Sequence, residues 1–337
     1  MSGSNFTLTF KLKLMSLAYK KLAALFILVA GLCMGTFAQD KTEAITLFNQ
    51  GVEQMKANDP NAVNTFEKVV AICDQIGDSA QDVKSKAVTV IPDLYYKKAY
   101  NLLMTEKKVN ESLQASKATL AVADKYQDPN VKESTQKLMI QAYTSMAANY
   151  GQSKEFDKAV LACDSILAIN PEHTPTLYNK ALMLRGLDKG PEFEQTIDLY
   201  LSKIQGDAAK VEQANKVARD YFRVAGGKAN KDNKLSDAVT LLTKASKYGE
   251  DNNLYYQFAS VYNKQKKFEL AAVNAQKGLD MDAAATPDAK AKYYYELGTA
   301  QAGLGKTSEA CQSLTNAMYG PFLNAAKGQK TNLKCPQ

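Results

Sequence analysis

The feature that most constrains this chain is a spacing of bulky and small side chains that returns along its length. Tyr143, Met146, Ala147 and Tyr150 fall at i, i+3, i+4 and i+7, which is one face of a helix. After a break over residues 151–155 the pattern restarts at Phe156, Ala159, Cys163 and Ile166, and it stops at Pro171. Together these two stretches read as a helix hairpin. The series returns as Tyr255, Phe258, Ala259, Tyr262, Phe268, Ala271 and Leu279, and once more as Tyr294, Leu297, Gly298, Gly305, Ala310, Leu314 and Ala317. Weaker copies run through Leu177, Ala181, Leu184, Thr196 and Tyr200; through Tyr221, Val224, Ala225, Ala238, Leu242 and Ala245; and through Tyr95, Ala99, Leu102 and Ser112. A degenerate first copy passes through Leu47, Gly51, Ala62 and Phe66.

Antiparallel helices approach closely only where the contact is small, so alanine and glycine recur at fixed places while bulky neighbours fill the grooves beside them. This spacing resembles the tetratricopeptide repeat, in which a bulky residue, a small one four later, another bulky one three later and an alanine twelve after the small one recur every 34 residues. With the small residue as ruler, Ala147 to Ala181 and Ala225 to Ala259 each span 34 residues, and the other intervals are 48, 48, 44 and 39. The resemblance covers residues 42–318 and is strongest over 140–318. It implies an all-α, right-handed superhelical solenoid of antiparallel helix hairpins with six to seven repeats, occupying residues 39–337. A lone hairpin cannot bury both of its faces, so successive repeats must stack. The long intervals predict extended helices or insertions around 114–136 and 206–216. Residues 319–337 read as a capping segment and tail, with 322–327 covering the last repeat. Gly206 and the pair Gly226-Gly227 read as long turns, where a hinge could lie.

The N-terminus carries Lys20 and Lys21, an apolar stretch from Leu22 to Met34, and then Gly35, Thr36, Phe37 and Ala38. Charged, apolar and small-residue regions in that order are the pattern of a cleavable export signal. At about 13 residues the apolar run is shorter than the roughly 20 needed for a helix to cross a bilayer. Cleavage is expected after Ala38, making 1–38 a signal peptide, with the true start at Met1 or at Met15. Cys33 is not expected to carry lipid, because Leu32 precedes it where lipid attachment requires a small residue. The chain is therefore expected in the periplasm, associated with the envelope, or secreted, with no transmembrane span in the mature form.

Charge adds little. The 42 basic and 35 acidic side chains give +7, but four of the lysines fall before residue 39 and the remaining excess is spread out. That is no footprint for nucleic acid. Four cysteines follow the signal: Cys73, Cys163, Cys311 and Cys335. Cys73 and Cys163 sit on apolar helix faces and read as small buried hydrophobes. Cys311 and Cys335 could staple the tail to the last repeat; the alternative is two thiols.

Catalytic patterns are missing. The single histidine, His173, follows Pro171 and Glu172 in a turn, so no histidine triad or HExxH zinc helix can be assembled. There is no CxxC pair. Gly303, Leu304, Gly305, Lys306 and Thr307 mimic the end of a phosphate-binding loop, but Ala300 stands where the first glycine belongs. The preceding segment is also helical, where that loop needs a strand. Gly305 reads as a hairpin turn. No enzyme activity, metal or cofactor is expected.

In the tetratricopeptide resemblance the residue after each first bulky position faces the inner, concave surface. Those residues are Phe48, Tyr96, Thr144, Tyr178, Phe222, Tyr256 and Tyr295, six of them aromatic. Two readings stand side by side: packing between successive first helices, or a ligand-binding ladder, since tyrosine and phenylalanine give stiff contact area at interfaces. Arg185, Arg219 and Asn263 are neighbouring inner-face candidates. The expected function is a non-catalytic scaffold of the envelope holding a protein or peptide on this face, with self-association left open. The alternative is a glycan-binding envelope protein that uses the tyrosines.

Overall fold

The computed structural model describes residues 41–336, and the predicted signal segment 1–38 lies outside them. The described residues form fifteen α-helices and two short 3₁₀ turns, with no strand among them. Twelve of the helices pair with their neighbours as six hairpins: α1 (41–56) with α2 (Ala62–Ile76), α3 (Gln81–Met104) with α4 (Val109–Tyr126), α7 (Thr174–Gly186) with α8 (Gly190–Lys203), α9 (Ala208–Lys231) with α10 (Leu235–Lys247), α11 (Asn252–Lys264) with α12 (Phe268–Met281), and α13 (Pro287–Gly303) with α14 (Thr307–Asn316); between the second and third of these, a short turn joins α5 (Pro129–Gln152) to α6 (Phe156–Ile169). A last helix, α15 (Leu323–Asn332), follows alone. None of the described helices is long and apolar enough to cross a membrane. The chain divides into two compact units, one running through Gln152 and including Asp164–Ile169, the other taking Ser153–Cys163 and everything from Asn170 onward.

The small residues sit where the helices of a hairpin touch. A side chain at Gly51 would meet the ring of Phe66 at 3.0 Å, and one at Gly298 would meet Leu314 Cγ at 2.8 Å. Ala99, Ala181 and Ala259 are fully buried at the same place in their hairpins. In the α9–α10 hairpin the close contact is made by Gly226, whose added Cβ would lie 2.8 Å from Leu242. The expected Ala225 is one residue early. The register runs from Gly226, 12 residues before the fully buried Ala238, just as Ala259 stands 12 before Ala271. The intervals on either side of it are therefore 45 and 33, in place of 44 and 34.

Each turn from a first to a second helix holds one residue in the left-handed region: Asn58, Lys107, Lys154, Asp188, Asn233, Lys266 and Gly305, with φ between 55° and 76°. In six of the seven turns the left-handed residue comes two before the second helix. In four of these its successor's N–H returns to a carbonyl five residues back: Lys189 to Leu184, Lys234 to Ala229, Lys267 to Tyr262 and Lys306 to Gln301. The second hairpin has one residue more, and Lys108 reaches back six, to Leu102. That extra residue explains why Ser112, donating its hydroxyl to the Ala99 carbonyl at 2.8 Å, lies 13 residues after its partner.

The long intervals come from long first helices. Helices α3, α5 and α9 each have 24 residues, against 13 for α7 and α11. The segments around 114–136 and 206–216 are thus mostly helix, not inserted loops. Gly226 and Gly227 lie inside α9 and form no turn or joint; the first is there for close approach, the second against Gln257.

A register set by Gly226 has a direct consequence. Changing Gly226→Val drives a branched side chain into Leu242 and is expected to destabilise the protein by about 1–3 kcal/mol. Changing the half-exposed Ala225→Val is expected to cost under about 1 kcal/mol, roughly its helix-propensity penalty. Urea unfolding followed by circular dichroism separates the two, and equal losses would contradict this register.

Candidate functional site

The residues expected on the inner face do not form one ladder. Tyr96 is half-buried on α3, its ring 6.1 Å from Tyr100. In the second unit, Tyr178 is half-buried with its ring 5.1 Å from Tyr200. Phe222 is not on the face at all. It is 2% exposed, because the one-residue shift in register makes it the first bulky core position of its repeat and puts Arg223 in the following place. Its ring is packed 5.9 Å from Phe193 and stacked 6.0 Å from Tyr248. Tyr256 and Tyr295 are half-buried beneath Phe322, at 6.5 and 5.5 Å. Burial pushes the Tyr256 hydroxyl up to about 12, with Glu296 adding to it.

The polar candidates divide. Arg219 is committed to Asp251, Nε to Oδ2 at 3.2 Å, and Arg223 donates to Asp220 at 2.9 Å. Asp251 also caps α11 by accepting from the Leu254 N–H at 2.7 Å. Asn263 is buried on α11, where its amide donates to both the backbone carbonyl and the carboxyl of Glu296, at 2.9 and 2.7 Å. Glu296 is 6% exposed, and burial raises its pKa above the ordinary range against the opposing hydrogen bonds of Asn263 and Ser260 and the more distant charge of Lys264. This polar group links α11 and α13 inside the fold and is not open to a ligand.

Arg185 is different. It is exposed on α7 and, with Asp188, Asp220, Tyr221, Val224, Ala225 and Lys228, lines an open cleft of 390 Å³ on the first-helix side of α7 and α9. Val224 is 64% exposed there, an unusual place for a valine on a helix that buries Ala218, Phe222 and Gly226 on its other face. Tyr221 packs its ring 4.7 Å from Phe193 and donates its hydroxyl to Asp188 at 2.9 Å. Its own pKa is pushed up to about 12, chiefly by burial and then by Asp188. The cleft thus has an apolar floor with both signs of charge on its rim. The sequence pattern named Arg185 and Val224 but took Val224 as a core position; placing the register on Ala238 and counting back 12 would have moved it outward.

The remaining expectations fall on clear ground. Cys311 and Cys335 are joined in a disulfide across 24 residues, which in the chain-entropy view contributes about 3 kcal/mol. Cys73 and Cys163 are buried. His173 stands just before α7, its Nδ1 2.8 Å from the Thr176 hydroxyl. Among the described residues no group of three or more histidine, cysteine or carboxylate side chains is placed to hold a metal ion.

Bulky residue, small contact, left-handed turn seven residues on and a second small contact recur through the hairpins. The fold is a tetratricopeptide-type helical repeat. No family profile matches the sequence. No curated protein matches it either. Among solved structures, the chain is similar to the MamA protein at 14% identity, covering 59% of this chain and 97% of that one with a TM-score of 0.36. It is also similar to a tetratricopeptide repeat protein from Parabacteroides merdae, at 17% identity over 88% and 99% of the two chains, TM-score 0.28. A third is the TPR2AB domain of yeast Sti1 in complex with pHSP90, at 13% identity over 87% and 94%, TM-score 0.28. With TM-scores this low, none of them bears on the function, and the fold assignment rests on the packing of this chain's own repeats.

Glu296 supplies a test of the buried polar link. Its raised pKa means that the folded state prefers the neutral carboxyl, so stability falls as pH rises from the ordinary glutamate range up through the folded-state value. Glu296→Gln keeps an acceptor for Asn263 and removes the charge. The stability gap in favour of the variant is expected to widen with rising pH and then level off, in urea titrations run from pH 4 to 8. A gap independent of pH would show that Glu296 is ionised without cost.

Proposed function

We propose that this protein is a non-catalytic scaffold of the cell envelope that holds a protein or peptide segment on the first-helix side of its repeats. One observation carries the reading: the open cleft of α7 and α9, where Val224 lies exposed beside Tyr221 between Arg185, Lys228, Asp188 and Asp220. An apolar floor with an aromatic edge and a charged rim is the anatomy of a protein-binding surface. The acidic groups of the cleft are already engaged, Asp188 by the Tyr221 hydroxyl and Asp220 by Arg223, which favours a role in shaping the surface over acid–base chemistry. Helix-hairpin repeats suit such a task because stacking generates long first-helix surfaces from small units. The envelope location is supported by the order of charged, apolar and small residues up to Ala38 and by the Cys311–Cys335 disulfide, a bond that persists in oxidising compartments.

The test is a crosslinking capture from the native envelope with the wild-type protein, a double variant Arg185→Ala with Val224→Asp, and a control, Val273→Asp, placed on an exposed position of α12. Capture of a specific protein is expected to fall at least about tenfold in the double variant, as for loss of a central interface residue, and to survive in the control. Circular dichroism should be the same for all three. Equal capture by the double variant would remove the cleft as the binding surface.

A further inference from the structure

The chain after α14 is seated on α11 and α13 as a ligand would be. A 3₁₀ turn, Gly320–Phe322, delivers the Phe322 ring onto Tyr256 of α11 and Tyr295 of α13. Further along, Gln329 donates to the Tyr295 hydroxyl and to Thr299, both at 3.0 Å. Gln329 stands 34 residues after Tyr295, so α15 takes the place of an eighth first helix. It is a helix of 10 residues with Gly328 in its interior and no side-chain cap at its start. Isolated helices of that length are marginal in water. Only Ala326 of α15 is fully buried, and Leu323 at its start is 42% exposed. By contrast, α11 and α13 bury Leu254, Ala259, Tyr293 and Ala300 completely.

Against that thin packing stands one covalent bond. Cys311 of α14 is 8% exposed and is joined to Cys335, just beyond α15, which is half-buried between the exposed Lys334 and Pro336. We propose that the face formed by Tyr256, Tyr295 and Thr299 is a second docking surface, that the C-terminal segment is its built-in occupant, and that the disulfide is the latch. The partner it fits is a short, largely polar helix with an aromatic ring in the turn just before it and, seven residues on, a carboxamide, which is the chemistry of Phe322 and Gln329. This surface is separate from the Arg185 and Val224 cleft, so either can fail without the other.

Opening takes a dithiol. One of its thiolates attacks the more accessible sulfur, that of Cys335, and Cys311 leaves as a thiolate. The second thiolate of the reagent then closes on the mixed disulfide and releases Cys335. The dithiol gives up two electrons to become a cyclic disulfide, and the two cysteines end protonated. Loss of the crosslink removes a closure advantage on the order of 100-fold from the segment.

The experiment is hydrogen exchange on the full chain with and without dithiothreitol, paired with fluorescence anisotropy of a labelled synthetic peptide spanning residues 319–334. The anisotropy arm uses the oxidised chain and the reduced Phe322→Ser, Gln329→Ala double variant, whose own tail competes poorly. Reduction is expected to speed exchange of amides 320–333 at least about tenfold while the interiors of α11 and α13 keep their protection, and the peptide is expected to bind only the reduced variant. Unchanged exchange over 320–333 would overturn the latch. So would loss of protection across α11–α14 together, which would make the disulfide a staple of the whole fold, or release of the tail with no peptide binding.

Discussion

Close approach of two helices at a residue with little or no side chain is the contact on which the rest of this structure depends. Gly51, Gly226 and Gly298 leave no room for a Cβ without displacing Phe66, Leu242 or Leu314. Ala99, Ala181 and Ala259 use the one carbon they have and are fully buried. Once that contact is fixed, the turn length follows, because a first helix must end about seven residues later and reverse through a single left-handed residue. The reversal decides which side chains of the next helix meet the first. Bulky groups such as Phe222, Tyr255 and Leu297 then fill the space on either side, and the opposite face of each first helix is left for other work.

The same geometry explains what was legible in the sequence. The hairpins could be found because small residues repeat at fixed offsets, and the tail disulfide could be anticipated because Cys311 lies on the last second helix with Cys335 a short distance beyond. The register of the fifth repeat was not legible from the first helix alone. Ala225, Gly226 and Gly227 are three small residues in a row, and either Tyr221 or Phe222 can serve as the bulky partner. What separates them is the second helix, since Ala238 must stand opposite the small contact. The lengths of α3, α5 and α9 were equally hidden, because about three extra turns of helix and an inserted loop give the same interval between repeats.

That one-residue shift also divides the inner-face candidates. Phe222 goes into the aromatic core with Phe193 and Tyr248, and Val224 comes out to form the floor of a cleft beside Arg185. Tyr256 and Tyr295 sit where a further repeat would pack, and the tail supplies Phe322 and Gln329 in its place. Asn263 could be read as inner-face from its spacing, but its partner could not, because Glu296 lies on the next first helix and no local pattern announces a buried carboxyl. The aromatic ladder read from spacing alone therefore resolves into a core residue, Phe222, a covered pair, Tyr256 and Tyr295, and two half-buried rings, Tyr96 beside Tyr100 and Tyr178 beside Tyr200.

The most direct measurement of the central claim is the sign of φ at the seven turns, from amide–Hα couplings and intraresidue distances in backbone-assigned NMR spectra. Left-handed values are predicted at Asn58, Lys107, Lys154, Asp188, Asn233, Lys266 and Gly305. A left-handed residue at Asp232 with Asn233 helical would move the fifth turn back by one, restore Ala225 as the contact, and contradict the packing on which this account rests.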